Sequence, residues 1–134
     1  MWSHPTVETI RVIHEEVLAA HGGAAGIRDE PLLESAVAAP QATMAGVPLL
    51  KDGLEIAAGY LFYICRNHPF VDGNKRVGHA AMEVFLLLNG YEIYVSVDEQ
   101  ETKIIDVASG KLSRNELSDW LSKHVVVSKR PSSP

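Results

Sequence analysis

Two stretches of this chain are apolar almost all the way round a helix. Between residues 54 and 64 the only polar side chains are Glu55, Tyr60 and Tyr63, and between residues 77 and 88 only His79 and Glu83. A helix without a polar face has to be wrapped by others, so both segments predict central helices. The loop that joins them then emerges from the most rigid part of the molecule, where a site would be well preorganised.

The remaining helix signals surround this pair. Thr6 caps a helix to about residue 20, with Val7, Ile10, Ile13 or His14, Val17 and Leu18 at helical spacing, and Gly22-Gly23 ends it. Asp29 caps a second, with Pro31 in its first turn and Leu32, Leu33, Ala36 and Val37 as its buried stripe. Residues 40–51 lapse into a loop holding Gly46 and Pro48. Asp52 opens the third helix, which reaches Arg66 or Asn67, and the fourth runs from about Asn74 to Asn89, stopped by Gly90. Residues 91–95 alternate polar and apolar as a short extended piece. Ser96 with Glu99 and Ser113 with Glu116 read as capping boxes for two last helices separated by Gly110. The expectation is an all-α, compact bundle of about six helices with no convincing sheet. The 134 residues fit one domain over 1–127, followed by a disordered tail at 128–134.

Charge and apolar run lengths exclude several classes. The formal net charge of −5 provides no global positive field for nucleic acid. The apolar runs at 56–65 and 84–88 are too short to span a bilayer, and no basic region followed by an apolar run marks the N-terminus. The single cysteine, Cys65, cannot form an internal disulfide and reads as a buried structural thiol. A cytoplasmic protein that engages neither membrane nor nucleic acid is expected.

The joining segment reads His68-Pro69-Phe70-Val71-Asp72-Gly73-Asn74-Lys75-Arg76-Val77-Gly78. Lys75 and Arg76 fall in the first turn of a helix, where the positive end of the dipole disfavours a cation by roughly 0.3–1 kcal/mol. Two cations there make sense if an anion occupies the helix N-terminus, held by free backbone N–H groups and both side chains. Gly73 lets that anion approach the backbone. A carboxylate at Asp72 repels the anion unless a divalent cation stands between them, as Mg²⁺ does between one carboxylate and phosphate oxygens. His68 is suited to take a proton from an attacking hydroxyl. Taken singly, Asp72 or Asn74 is a helix cap, His68 a loop residue and Lys75 a solvated charge. Capping alone does not explain the set.

The segment matches H-P-F-x-D/E-G-N-G/K-R-x-x-G except in its last spacing, and in this it resembles the signature of the Fic/Doc superfamily. Gly22-Gly23, Gly26-Ile27-Arg28-Asp29, Leu32-Leu33-Glu34-Ser35-Ala36, Pro40-Gln41, Leu88-Asn89-Gly90-Tyr91 and Ala108-Ser109-Gly110 with Leu117 and Trp120-Leu121 are similar to the death-on-curing (Doc-like) toxin branch. The resemblance implies the Fic fold and an enzyme that uses ATP and Mg²⁺. It makes His68 the general base, Asp72 the metal ligand, Gly73 and Asn74 part of the anion nest, and Arg76 a clamp on a terminal phosphate. Lys75 stands where the superfamily varies between Gly and Lys. Gly73 is like the members that transfer AMP and Lys75 like the Doc-like kinases, so both reactions stay open.

The Doc-like branch further implies a toxin that phosphorylates a threonine of elongation factor Tu and is restrained by an antitoxin. Many Fic proteins restrain themselves with a helix carrying S/T-x-x-x-E-G/N. No Glu in this sequence precedes Gly or Asn, so restraint is expected from a partner. The apolar loop at 43–50, with Met44, Val47 and Leu49, corresponds to a flap that aligns the target by strand addition, the alternative being that Leu49 and Leu50 tuck into the core. His14 and His21 lack a third ligand for zinc, and His79 with Glu83 forms a polar stripe on the fourth helix. A catalytically idle module that sequesters a partner is the rival of another class.

Overall fold

Helix starts follow the caps. In the computed structural model, which describes residues 1–128, Thr6 accepts from the Thr9 N–H and opens α1 (Val7–His21), and Asp29 accepts from Leu32 at the start of α2 (Glu30–Ala38). Asp52 accepts from Leu54 and Glu55 to begin α3 (Gly53–Asn67), and Ser96 accepts from Glu99 to begin α5 (Val97–Ala108). Only α6 (Arg114–His124) has the reciprocal box, with Ser113 and Glu116 each bonding the other's backbone. At Ser96 the box is one-sided, and the Glu99 carboxylate lies 3.8 Å from His124 Nε2. Each such cap contributes about 1 kcal/mol. The exception is α4 (Asn74–Leu88): its N-cap is Gly73 in the left-handed region (φ 84°), with no capping side chain.

The central position expected of the third helix is observed. α3 packs against α2, α4, α5 and α6, and Tyr60, Leu61 and Ile64 are fully buried. Gly78 sets how closely α4 approaches it: a Cβ there would sit 2.9 Å from Leu61 Cδ1 and 3.3 Å from the Leu61 carbonyl oxygen. α4 is wrapped as far as Leu86, but Leu87 and Leu88 emerge half exposed. Residues 1–6 strap the far ends of these two helices. Trp2 covers Gly53 and Phe85, Asn89 bonds both backbone groups of Ser3, and His4 Nδ1 lies 2.6 Å from the Tyr60 hydroxyl.

Beside the helices stand only two small antiparallel strand pairs among the described residues. β1 (Thr43–Met44) pairs with β2 (Val47–Pro48) through Ala45 and Gly46, both at positive φ, a two-residue hairpin turn of the type that matches strand twist. β3 (Tyr91–Ile93) is the extended piece read from the sequence, and its partner is β4 (Val125–Val127). Three β-branched residues after His124 favour that pairing over another helical turn. Ser128 donates its N–H to the Gly90 carbonyl at 2.6 Å; the rest of the expected tail lies outside the described residues. Among the described residues no helix is long and apolar enough to cross a membrane.

Candidate active site

The segment between α3 and α4 is held from three directions. Arg28 donates through Nε to the His68 carbonyl (2.7 Å) and through Nη2 to that of Asn67 (2.8 Å), satisfying the C-terminal carbonyls of α3. Residues 26–29 run antiparallel beside the loop: the Arg28 and Asp29 N–H groups donate to the Pro69 carbonyl, and Val71 donates to that of Gly26. From below, fully buried Phe70 anchors the loop. The His14 ring stacks on it with centroids 3.9 Å apart and planes 13° from parallel.

Asn74 closes the turn. Its side chain accepts from the Phe70 N–H (3.0 Å) and donates to the Phe70 carbonyl (2.9 Å), and it is 5 % exposed. What Asn74 offers a ligand is therefore its backbone N–H. Among the described residues no acceptor meets the N–H of Asn74, Lys75 or Arg76, so the first turn of α4 presents three free donors. Lys75 and Arg76 are exposed and form no ion pair among the described residues. Two unpaired cations and three unpaired N–H groups at one helix N-terminus are an arrangement suited to an anion.

Asp72 lies at its edge. One carboxylate oxygen accepts from Gly73 N–H (2.9 Å) and the other from Ala24 N–H (3.2 Å), leaving outward lone pairs on an exposed group. Gly23, at φ 116°, makes room for it: a Cβ there would stand 2.9 Å from Asp72 Oδ2. Among the described residues no cluster of three His, Cys, Asp or Glu side chains gathers here. A cation at Asp72 would thus take its other ligands from water and phosphate, the pattern of Mg²⁺.

These groups floor an open cleft of about 880 Å³. His68 borders it from the end of α3 with its imidazole exposed; its backbone is left-handed (φ 49°), and its N–H closes α3 on the Ile64 carbonyl. The far wall is α5, through Val97, Glu101, Ile104, Ile105 and Ala108. Cys65 lines the cleft, and burial pushes its thiol up to about 11 despite the charge of Lys75, so it is inert at neutral pH. His79 joins the two walls, with Nε2 2.5 Å from Glu83 and 2.8 Å from Gln100 Oε1. Burial works against its charged form, but those hydrogen bonds and the charges of Glu83 and Glu101 outweigh it and raise its pKa.

Every motif residue singled out in the sequence thus falls on one cleft: His68, Asp72, Gly73, Asn74, Lys75 and Arg76. Met44, Val47 and Leu49 do not line it. They form the exposed hairpin, whereas Leu50 alone tucks in, 6 % exposed. His21 lines the cleft, and His14 is turned into the core. Reading the sequence missed the α5 wall and the supports Arg28, Gly23 and His14. For His14 a signal existed, since it falls on the buried face with Ile10 and Val17.

Comparison with known proteins agrees with this picture. The model of the Fic/DOC family matches residues 4–86. A protein named Toxin Doc from Mycolicibacterium smegmatis is 42% identical over 101 residues, covering 71% of this chain and 78% of the relative. One named Protein kinase doc from Escherichia phage P1 is 28% identical over 120 residues, covering 90% of this chain and 94% of its own length.

Proposed function

Because the chain belongs to the Fic/DOC family, we propose that it is a Doc-like toxin that transfers the γ-phosphoryl group of ATP to a Ser or Thr hydroxyl of a translation protein. The names of these two relatives, a toxin and a protein kinase, support this choice. The observation that carries it is the coincidence, on one cleft, of an unfilled anion site at the start of α4 and an exposed imidazole at the end of α3.

The chain's own groups suffice to describe the reaction. The free N–H groups of residues 74–76 with Lys75 and Arg76 hold the triphosphate and take up charge as the bridging bond loosens. His68 removes the proton from the target hydroxyl, whose oxygen bonds to the γ-phosphorus while ADP leaves with the bridging oxygen's electrons. Asp72 would hold Mg²⁺, which supplies charge neutralisation on the phosphates. Beyond the anion site the cleft turns apolar at α5 and acidic at Glu83 and Glu101, an environment for the uncharged part of a nucleotide.

Glu83 is seven residues along α4 from Arg76, roughly 10 Å at the rise of a helix. That spacing separates the triphosphate from the acidic end. The exposed β1–β2 hairpin, with Met44, Val47 and Leu49 outward, is the surface on which a target's backbone is aligned. Restraint comes from a separate antitoxin.

The second reading, AMP transfer, is favoured by Gly73. Bacterial extract incubated with the protein and ATP labelled at either the α or the γ phosphorus separates the two. The γ label alone should reach protein, in a His68-dependent way. The α label would mean AMP transfer, and neither label would leave a binding module.

A further inference from the structure

Among the described residues two buried polar side chains, His14 and Asn74, each 5 % exposed, hold the active-site loop. The proposed chemistry uses the second and leaves the first without a task. A buried imidazole is costly unless it is hydrogen-bonded. His14 makes that bond to one atom, the carbonyl oxygen of Asp72, at 3.0 Å from Nε2. A carbonyl only accepts, so Nε2 carries the hydrogen and donates.

That bond fixes more than one atom. The Asp72–Gly73 peptide is trans and planar, so its C=O and N–H point in opposite directions. With the carbonyl drawn down onto α1, the Gly73 N–H is turned outward, where it meets Asp72 Oδ1 at 2.9 Å. Gly73 itself rests on α1: a Cβ there would be 3.5 Å from Val17 Cγ1 and 3.8 Å from His14 Cδ2. Gly73 lacks a side chain and sits at positive φ, so its flanking peptides have little else to hold their orientation.

We propose that His14 is a positioning residue: by holding the Asp72 carbonyl it turns the Gly73 N–H and the Asp72 carboxylate toward the phosphate cleft. This rests on the reading of that cleft as a site for ATP with Mg²⁺. Losing such a support from beneath a ligand typically costs tenfold or more in affinity or activity.

Two variants separate positioning from plain packing. His14→Phe keeps a ring to stack on Phe70 and removes the donor. His14→Gln sacrifices the stack and keeps an N–H at about the place of Nε2. If His14 served packing alone, Phe would outperform Gln in every assay. Positioning predicts opposite orders. The thermal midpoint should fall less in His14→Phe, whereas its uptake of ATP with Mg²⁺ by calorimetry should weaken roughly tenfold and His14→Gln should stay near wild type.

In the ligand-free proteins, the Gly73 amide resonance should move in His14→Phe and hold in His14→Gln. Wild-type affinity in His14→Phe, or an unmoved Gly73 resonance, overturns the proposal. A wild-type protein that takes up no ATP overturns the ATP reading instead, and the Gly73 resonance still decides the role of His14.

Discussion

Asn74 grips Phe70 by both polar groups of its backbone, accepting from the N–H at 3.0 Å and donating to the carbonyl at 2.9 Å. One side chain thereby closes the five-residue turn from Phe70 to Asn74 that aims the start of α4 at the cleft. Asn74→Ala leaves two buried backbone groups unpaired, at about 1–3 kcal/mol each where water does not replace the amide. The expected result is a lower urea midpoint together with lost transferase activity. An unchanged midpoint would show that the turn holds without this amide.

His68 and Arg76 should behave in the opposite way. Both are exposed, and neither side chain has a partner among the described residues. His68 sits at φ 49°, a conformation Asn tolerates better than Ala, so His68→Asn tests the imidazole without adding backbone strain. His68→Asn and Arg76→Ala should each lower labelling of the target by at least about a hundredfold, the usual share of a general base or charge-stabilising group. Their stabilities, followed by thermal unfolding, should stay within about 0.5 kcal/mol of wild type, as for surface substitutions. Undiminished labelling in either variant removes that residue from the chemistry.

Gly23 and Gly22 form a matched pair. Both adopt positive φ, but a Cβ at Gly22 meets nothing within 4 Å, while one at Gly23 meets Asp72 Oδ2 at 2.9 Å and Leu18 Cδ2 at 3.2 Å. Backbone strain of about 1–3 kcal/mol is expected from Ala at either position. Only Gly23→Ala displaces the carboxylate, so only it should raise the Mg²⁺ concentration needed for half-maximal labelling. An equal effect from Gly22→Ala would trace the loss to loop strain instead.

What the sequence revealed follows from the range of each interaction. Thr6, Asp29, Asp52 and Ser113 cap N–H groups two or three residues away, so the helix starts were legible. The cations of the fourth helix's first turn were equally local. The supports of the site were not, because they join distant residues: His14 to Asp72, Ala24 to Asp72 and Arg28 to His68. No periodicity encodes such pairings. β4 was missed for the same reason, its partner β3 lying far back in the chain. Leu49 and Leu50 are adjacent and chemically identical, and only the space over Gly59 decides that Leu50 is the one buried.

His79 predicts a pH dependence with a definite sign. Burial opposes its charged form, yet the hydrogen bonds to Glu83 and Gln100 and the charges of Glu83 and Glu101 raise its pKa above 6.5. A base held more tightly protonated in the folded state stabilises fully below the unfolded value, and the contribution is lost as pH rises through the folded one. His4 works the other way: burial lowers its pKa, so its contribution is lost as pH falls below 6.5. The wild-type profile mixes both, and a difference against His79→Gln isolates one. That difference should be larger at about pH 5.5 than at about pH 8.5, read from urea midpoints. Since the bond to Gln100 ties α4 to α5 across the cleft, exchange of α5 amides in the wild type should quicken over the same interval. A pH-independent difference would mean that the charged form of His79 contributes nothing to holding the two walls together.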